Sequence, residues 1–161
     1  MRTKLLVALA VVAAACCAGC KYSTDSLFRT DIKTIYIEGF DNDTFRRGLE
    51  VQLTRAVAAE VKLRTPFLLA PRNEADSVLS GTITDVVERT RVRSVDDQVL
   101  STNVKVVVSF SWHDQRANTD IVPRTTVSDS VNVTVAFGED LYAVVMRQVA
   151  KRVVEEMQAP W

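Results

Sequence analysis

The spacing of apolar residues changes along the chain, and each spacing predicts one kind of element. Residues 34–39 are rich in β-branched and aromatic side chains, which favours a first strand. Over residues 45–63 the apolar positions recur every three or four residues, so this segment is predicted to be an amphipathic helix with one buried face. Residues 138–157 repeat that spacing and predict a second helix.

Three segments between these helices are predicted to be strands. The first, over 77–89, places Leu79, Ile83 and Val87 on one side. The other two, over 102–112 and 125–136, alternate apolar and polar residues, which is typical of antiparallel strands with one face on a core. The order β-α-β-β-β-α therefore predicts an α+β fold, in which two helices pack on one face of a four-stranded mixed or antiparallel sheet.

The N-terminus has the pattern of an export signal. Arg2 and Lys4 precede an apolar run that is shorter than the roughly 20 residues needed to span a bilayer. Residues 17–20, Cys-Ala-Gly-Cys, then resemble the lipobox of bacterial lipoproteins, with cysteine at a first position that is usually leucine. The resemblance implies that Cys20 is acylated and that the peptide before it is removed. The alternative is an ordinary secretory signal with an incidental cysteine.

These patterns divide the chain into three parts. We expect a cleaved lipoprotein signal peptide over 1–19, a lipidated N-terminus and tether over 20–33, and a single domain over 34–161. Lipidation at Cys20 with two or more acyl chains would tether the mature protein stably to a membrane.

Composition argues against two kinds of function, nucleic acid binding and thiol chemistry. Cleavage removes two of the 20 basic residues and leaves all 20 acidic ones, so the mature chain is near neutral and no nucleic acid partner is expected. The three cysteines, Cys16, Cys17 and Cys20, lie in the signal or at its cleavage site, so the folded domain is expected to lack disulfides and thiol chemistry.

Catalytic and metal-binding patterns are weak throughout the sequence. His113 is the only histidine, and neither a nucleophile motif nor a glycine-rich phosphate loop accompanies it. Acidic pairs at Asp41 and Asp43 and at Asp96 and Asp97 are candidates for calcium but are more typical of turns. The sequence predicts a protein that is not an enzyme and that needs neither a cofactor nor a metal.

A cluster of arginines follows the apolar part of the first long strand. Arg89, Arg91 and Arg93 share the parity of Leu79, Ile83 and Val87 and are expected to extend from the rim of that face if the strand stays regular. Guanidinium groups bind phosphates in a bidentate manner, so the cluster is a candidate for a lipid headgroup or a glycolipid. The alternative is a solvated charge run that keeps a strand edge from pairing with other chains.

Five stretches are similar to the lipopolysaccharide-assembly lipoprotein family, LptE: residues 27–35, 40–50, 53–56, 64–67 and 75–81. Members of that family sit at the inner side of the outer membrane of diderm bacteria. They plug the lumen of the large β-barrel LptD and contact lipopolysaccharide. The resemblance therefore implies an assembly factor that supports an LptD-like barrel and assists insertion of lipopolysaccharide, lipid-anchored on the periplasmic side of the outer membrane.

The family's lipid contacts are basic residues, and the resemblance does not assign them one by one. The candidates in this chain for binding lipopolysaccharide are Arg89, Arg91, Arg93 and Lys105, the last on the polar face of a strand. Residues 35–42 also resemble the opening strand of lipoproteins of the curli-secretion and penicillin-binding-protein-activator type. The alternative function is therefore a regulator or scaffold of the envelope.

Overall fold

The computed structural model of the protein describes residues 27–92, 99–133 and 140–158. In chain order the elements are β1 (Thr34–Ile37), β2 (Asp41–Asn42), α1 (Leu49–Arg64), β3 (Leu68–Leu69), β4 (Ser77–Val92), β5 (Val99–Asp114), β6 (Thr119–Val133) and α2 (Leu141–Glu156). The predicted α+β fold is confirmed, with two short strands, β2 and β3, in addition to the four expected ones.

The sheet is mixed, and its strands follow the order β3-β1-β4-β5-β6. β1 is parallel to both β3 and β4, β2 also pairs in parallel with β4, and β4, β5 and β6 form an antiparallel meander. α2 contacts α1, β5 and β6, so the two helices form one layer against one face of the sheet. The other face of the sheet carries no element of the described chain.

The core lies between the helices and β5. Every second residue of β5 is fully buried there: Val104, Val106, Val108, Phe110 and Trp112. The helices contribute the apolar stripes that their spacing predicts, with Leu53, Val57, Val61, Val145, Val149 and Val153 at 0% exposure. Full burial of such a side chain stabilises the fold by about 1.5–3 kcal/mol relative to leaving it exposed.

α1 begins four residues later than its apolar pattern predicts. Gly48 caps the helix with a φ of 89°, a left-handed conformation that glycine adopts without steric cost. Both carboxylate oxygens of Glu50 accept the Gly48 N–H at 3.0 Å, while Phe45 is wholly exposed. The turn before Gly48 therefore keeps Phe45 out of the helix and away from its buried face.

β6 begins six residues earlier than predicted, because the β5–β6 hairpin is tight. Asp114 is buried, and its Oδ1 accepts the backbone N–H groups of Arg116 and Ala117 at 2.8 and 3.0 Å. Pro123 lies within β6 and has no N–H to donate to a ladder. An edge strand accommodates it, and β6 is the last strand of the sheet in the described chain. Residues 134–136 of the predicted strand lie outside the described residues.

The segment before β1 belongs to the packed structure. Phe28 and Ile32 are buried, and the ring of Phe28 meets Phe67 edge-on at 5.7 Å between centroids. The Asp76 carboxylate accepts the backbone N–H groups of Lys33 and Thr34 at 2.8 and 3.0 Å. These bonds, the Lys33 bond first, hold the pKa of Asp76 below its usual range.

Removing the Asp76 carboxylate is expected to loosen this attachment. Asp76→Ala should lower the free energy of unfolding by roughly 1–2 kcal/mol at pH 7, because two backbone donors lose a charged acceptor. A depressed folded-state pKa contributes stability above the unfolded pKa, and that stability is lost as pH falls through the folded pKa. Thermal unfolding should therefore separate wild type from Asp76→Asn at pH 7 and bring the two together toward pH 3. The exposed Asp43→Asn change is the control and should leave thermal unfolding at pH 7 unchanged.

Gly81 is expected to be intolerant of a side chain. A Cβ at this position would lie 2.5 Å from Cε1 of Phe40 and 2.8 Å from the Ser109 carbonyl oxygen. Because the second atom is backbone, Gly81→Ala should lower the free energy of unfolding by about 1–3 kcal/mol. A Cβ at Gly39 meets nothing within 4 Å, so denaturant unfolding of Gly39→Ala is the matched comparison. Equal stability of the two variants would contradict the close approach at Gly81.

Candidate functional site

The sheet face opposite the helices is lined by small polar side chains. It follows from the alternation of β5: the residues between the buried ones face away from the core. Cross-strand pairs join Ser80 to Ser111, Thr82 to Ser109 and Lys105 to Ser130. We call this surface the polar face and define it by Ser80, Thr82, Asp85, Val87, Arg89, Asn103, Lys105, Val107, Ser109, Ser111, Thr126, Ser128, Ser130 and Asn132.

A β-bulge in β4 decides where its arginines lie. Ile83 pairs with Val108, but Asp85 pairs with Val107, so one extra residue, Thr84, is inserted. An insertion of one residue exchanges the two faces for everything that follows. Thr84 closes the bulge with a hydrogen bond from its hydroxyl to the Val107 carbonyl, at 3.3 Å.

The expectation that Val87 shares a side with Leu79 and Ile83 is therefore wrong. Leu79 and Ile83 are fully buried in the core, whereas Val87 pairs with Lys105 on the polar face. Arg89 accordingly does not extend from the rim of the apolar face. It pairs with Asn103 and lies on the polar face.

The bulge brings two of the candidate basic residues together. Arg89 and Lys105 belong to neighbouring pairs on adjacent strands, a diagonal relation that lies within reach of long side chains. Both side chains are exposed. Within the described residues neither makes a hydrogen bond or an ion pair through its side chain, so the two cations are available to an anion.

The other two arginines are less fully placed. Arg91 pairs with Ser101 in the β4–β5 register, one alternation beyond Arg89. Arg93 lies outside the described residues, as does Cys20. The structure thus joins Arg89 and Lys105 on one surface and places the backbone of Arg91 next to them.

The helix side of the same end of the sheet carries a cluster that the sequence did not indicate. Glu88 pairs with Val104, and its Oε2 accepts the Tyr142 hydroxyl at 2.9 Å and forms an ion pair with Arg46. The Arg46 guanidinium also lies 5.0 Å from the centre of the Tyr142 ring. Burial first, and then the bond to Glu88, raises the pKa of Tyr142 to about 12.

This cluster ties three separate parts of the chain to one another. Arg46 precedes α1, Glu88 is in β4 and Tyr142 is in the first turn of α2. The Glu88 carboxylate already accepts from two donors, Arg46 and Tyr142. We therefore interpret the cluster as a structural ion pair that is covered by an aromatic ring. It fixes the helix-facing side of the strand whose opposite side presents Arg89.

His113 takes part in a cross-strand pair and not in a nucleophile arrangement. Its Nδ1 lies 2.9 Å from Oδ1 of Asp120, the residue that faces it in β6. Over residues 27–92, 99–133 and 140–158, no three histidine, cysteine or acidic side chains come together as a metal site would require. Asp96 and Asp97 fall outside those ranges.

Among the described residues no helix, α1 and α2 included, is long and apolar enough to cross a bilayer.

Solved structures with the same fold are distant in sequence. The PelC dodecamer from Paraburkholderia phytofirmans is 15% identical, covers 82% of this chain and 93% of that chain, and has a TM-score of 0.56. An uncharacterized lipoprotein B from Nitrosomonas europaea, solved by NMR, is 10% identical, covers 80% and 83% of the respective chains, and has a TM-score of 0.50. At these identities the likeness shows the fold alone. No curated protein matches the chain significantly.

A family model gives the closer assignment. The model described as "LptE: Lipopolysaccharide-assembly" matches residues 32–157, from the segment before β1 to the end of α2. The match spans every element of the described structure, including the strands that carry Arg89 and Lys105. The chain therefore belongs to the LptE family of lipopolysaccharide-assembly proteins.

Proposed function

We propose that this protein is a lipid-anchored outer-membrane assembly factor that plugs and supports an LptD-like barrel and assists insertion of lipopolysaccharide. The observation that carries the proposal is the family match over residues 32–157. The alternative, a regulator or scaffold of the curli-secretion or penicillin-binding-protein-activator type, rests on the likeness of residues 35–42 alone.

The polar face is the surface that suits a barrel interior. The lumen of a large outer-membrane barrel is polar, and a sheet face rich in serine, threonine and asparagine side chains suits such a surface. Some of these groups already bond to each other, as in the 2.9 Å contact from Asn103 Nδ2 to Asn132 Oδ1. The opposite face of the sheet is not available to a barrel wall, because the helices cover it.

The basic end of that face is the candidate contact for lipopolysaccharide. Arg89 and Lys105 are exposed and unpaired within the described residues, and Arg91 follows Arg89 on the same strand. Phosphate groups on a glycolipid would accept charge-assisted hydrogen bonds from these side chains. We include Arg93 because it continues the same alternation in the sequence.

Acylation of Cys20 would supply the anchor, with residues 20–26 as the link to the packed domain. That link enters the domain at Phe28, which is buried against Phe67. Membrane attachment would therefore act on the sheet through a fixed point at Phe28.

Removing the basic side chains should weaken lipopolysaccharide binding without unfolding the protein. We expect Arg89→Ala with Lys105→Ala to raise the Kd for purified lipopolysaccharide about tenfold or more, because each lost charge-assisted bond contributes about 1.5–3 kcal/mol. A second pair, Arg91→Ala with Arg93→Ala, tests the remaining candidates. Titration calorimetry would measure the affinities, and thermal unfolding would confirm that the fold is retained.

The matched control for this test is a change of the same residue types on the helix layer. Arg147 and Lys151 are exposed on α2, on the other side of the molecule. Arg147→Ala with Lys151→Ala should leave the Kd unchanged. An equal loss in test and control would mean that net charge, not the polar face, governs binding.

The partner is tested by gentle detergent extraction followed by native mass spectrometry. We expect one copy of the chain with one large β-barrel protein. A homo-oligomer of this chain alone, of the kind the PelC dodecamer represents, would contradict the barrel assignment. Recovery with cell-wall enzymes only would favour the regulator.

A further inference from the structure

Large exposed apolar residues gather at one edge of the molecule. Six such residues are exposed in the described chain, and four lie at this edge: Leu27, Leu63, Leu68 and Leu69, at 46, 77, 69 and 37% exposure. Leu63 is in the last turn of α1, and Leu68 and Leu69 form β3, the outermost strand beside β1. Contiguous exposed apolar patches mark interaction sites on soluble proteins, so this edge is a candidate for one.

The segment 27–33 lies beside these leucines. The Leu68 N–H donates to the Lys33 carbonyl at 2.9 Å, and Phe28 packs on Phe67. An open groove of about 370 Å³ follows the contact, lined by Arg29, Thr30, Ile32, Lys33, Pro66 and Leu68. We call this surface the β3 edge and define it by Leu27, Lys33, Lys62, Leu63, Pro66, Leu68 and Leu69.

Basic side chains surround the β3 edge, and two of them are unneutralised. Arg29 pairs with Asp31, and Arg64 pairs with Glu60 at 2.6 Å. Lys33 and Lys62 are exposed, and no acidic side chain within the described ranges forms an ion pair with either. The edge therefore carries exposed leucines together with two free ammonium groups.

We propose that the β3 edge sits in the interfacial layer of an anionic phospholipid membrane. Leucine side chains gain by entering the boundary between headgroups and acyl chains, and lysines beside them gain from anionic headgroups. Lysine stems lie along apolar surface while the charge stays at headgroup level. The composition fits lipid better than a protein partner, because protein interfaces are depleted in lysine relative to the rest of the protein surface.

The location agrees with the anchor, a point that rests on the proposed acylation of Cys20. Leu27 follows Cys20 by seven residues, which span at most about 25 Å when extended. The anchor would therefore hold Leu27 close to the same leaflet. α1 is 16 residues long, or about 24 Å, so Phe45 and Leu63 lie near opposite ends of the helix, and only the Leu63 end is proposed to lie at the membrane.

The test compares probes at the two ends of α1 in the processed, full-length protein. Leu63→Cys, Leu68→Cys and Phe45→Cys would each carry an environment-sensitive fluorophore, and the protein would be reconstituted in phosphatidylethanolamine and phosphatidylglycerol vesicles that contain a lipid-attached quencher. All three native side chains are exposed, so the substitutions should not disturb folding. We expect several-fold stronger quenching at Leu63 and Leu68 than at Phe45.

A second set of variants, in which charges are reversed, distinguishes contact with anionic lipid from simple proximity to the vesicle. Lys33→Glu with Lys62→Glu should reduce quenching at Leu68 several-fold in anionic vesicles. Arg147→Glu with Lys151→Glu, which reverses the same number of charges on α2, should leave it unchanged. Raised salt should act in the same direction as the first pair.

Several outcomes would overturn the inference. One is equal quenching at all three positions while the protein stays on the vesicles. Another is shielding of the Leu68 probe only when a barrel protein is added, which would assign the β3 edge to a protein partner instead.

A failure of the proposed acylation would be recognised separately, because an unacylated Cys20 has a free thiol that would also react with the fluorophore. The labelled protein is detected whether or not it carries acyl chains. The β3 edge would then be judged on binding of that unanchored chain to the same vesicles. Binding that is lost in Leu63→Ser with Leu68→Ser supports the inference, and absence of binding overturns it.

Discussion

The burial of alternate residues of β5 against the helices is the constraint on which the rest of the structure depends. β5 is paired on both sides, with β4 and with β6, so it cannot shift without breaking two ladders. Its five fully buried side chains fix one face as core. The residues between them must then face outward. Lys105 faces outward because its two neighbours, Val104 and Val106, both face the core.

Most of the fold can be predicted from the regular periodicity of apolar residues in the sequence. The stripes of α1 and α2 and the alternation of β5 are repeated over many residues, so each repeat supports the same assignment. The ends were harder to place. α1 starts at Leu49 and not at Phe45 because one glycine in a left-handed conformation and the Glu50 carboxylate set the boundary, and local apolar spacing contains no record of either.

The candidate site shows the same division. The alternation of β5 predicts the correct side for Lys105, because β5 is regular there. The alternation of β4 predicts the wrong side for Arg89, because a single inserted residue, Thr84, reverses the positions that follow it. Asp85, a charged residue at the parity of Leu79 and Ile83, is a local signal of that reversal. The meeting of Glu88 with Arg46 and Tyr142 joins residues 42 and 54 positions apart, and only the tertiary fold brings them within bonding distance.

The packing of Phe28 determines how a force applied at the N-terminal end of the domain reaches the sheet. A pull on residue 27 acts first on an aromatic contact and then on β1, which is held by parallel ladders to β3 and β4. Force along a strand loads such ladders together, in shear, whereas force across the strand would open them one bond at a time. Tension applied at residue 27 would therefore be spread over the sheet before any single bond has to fail.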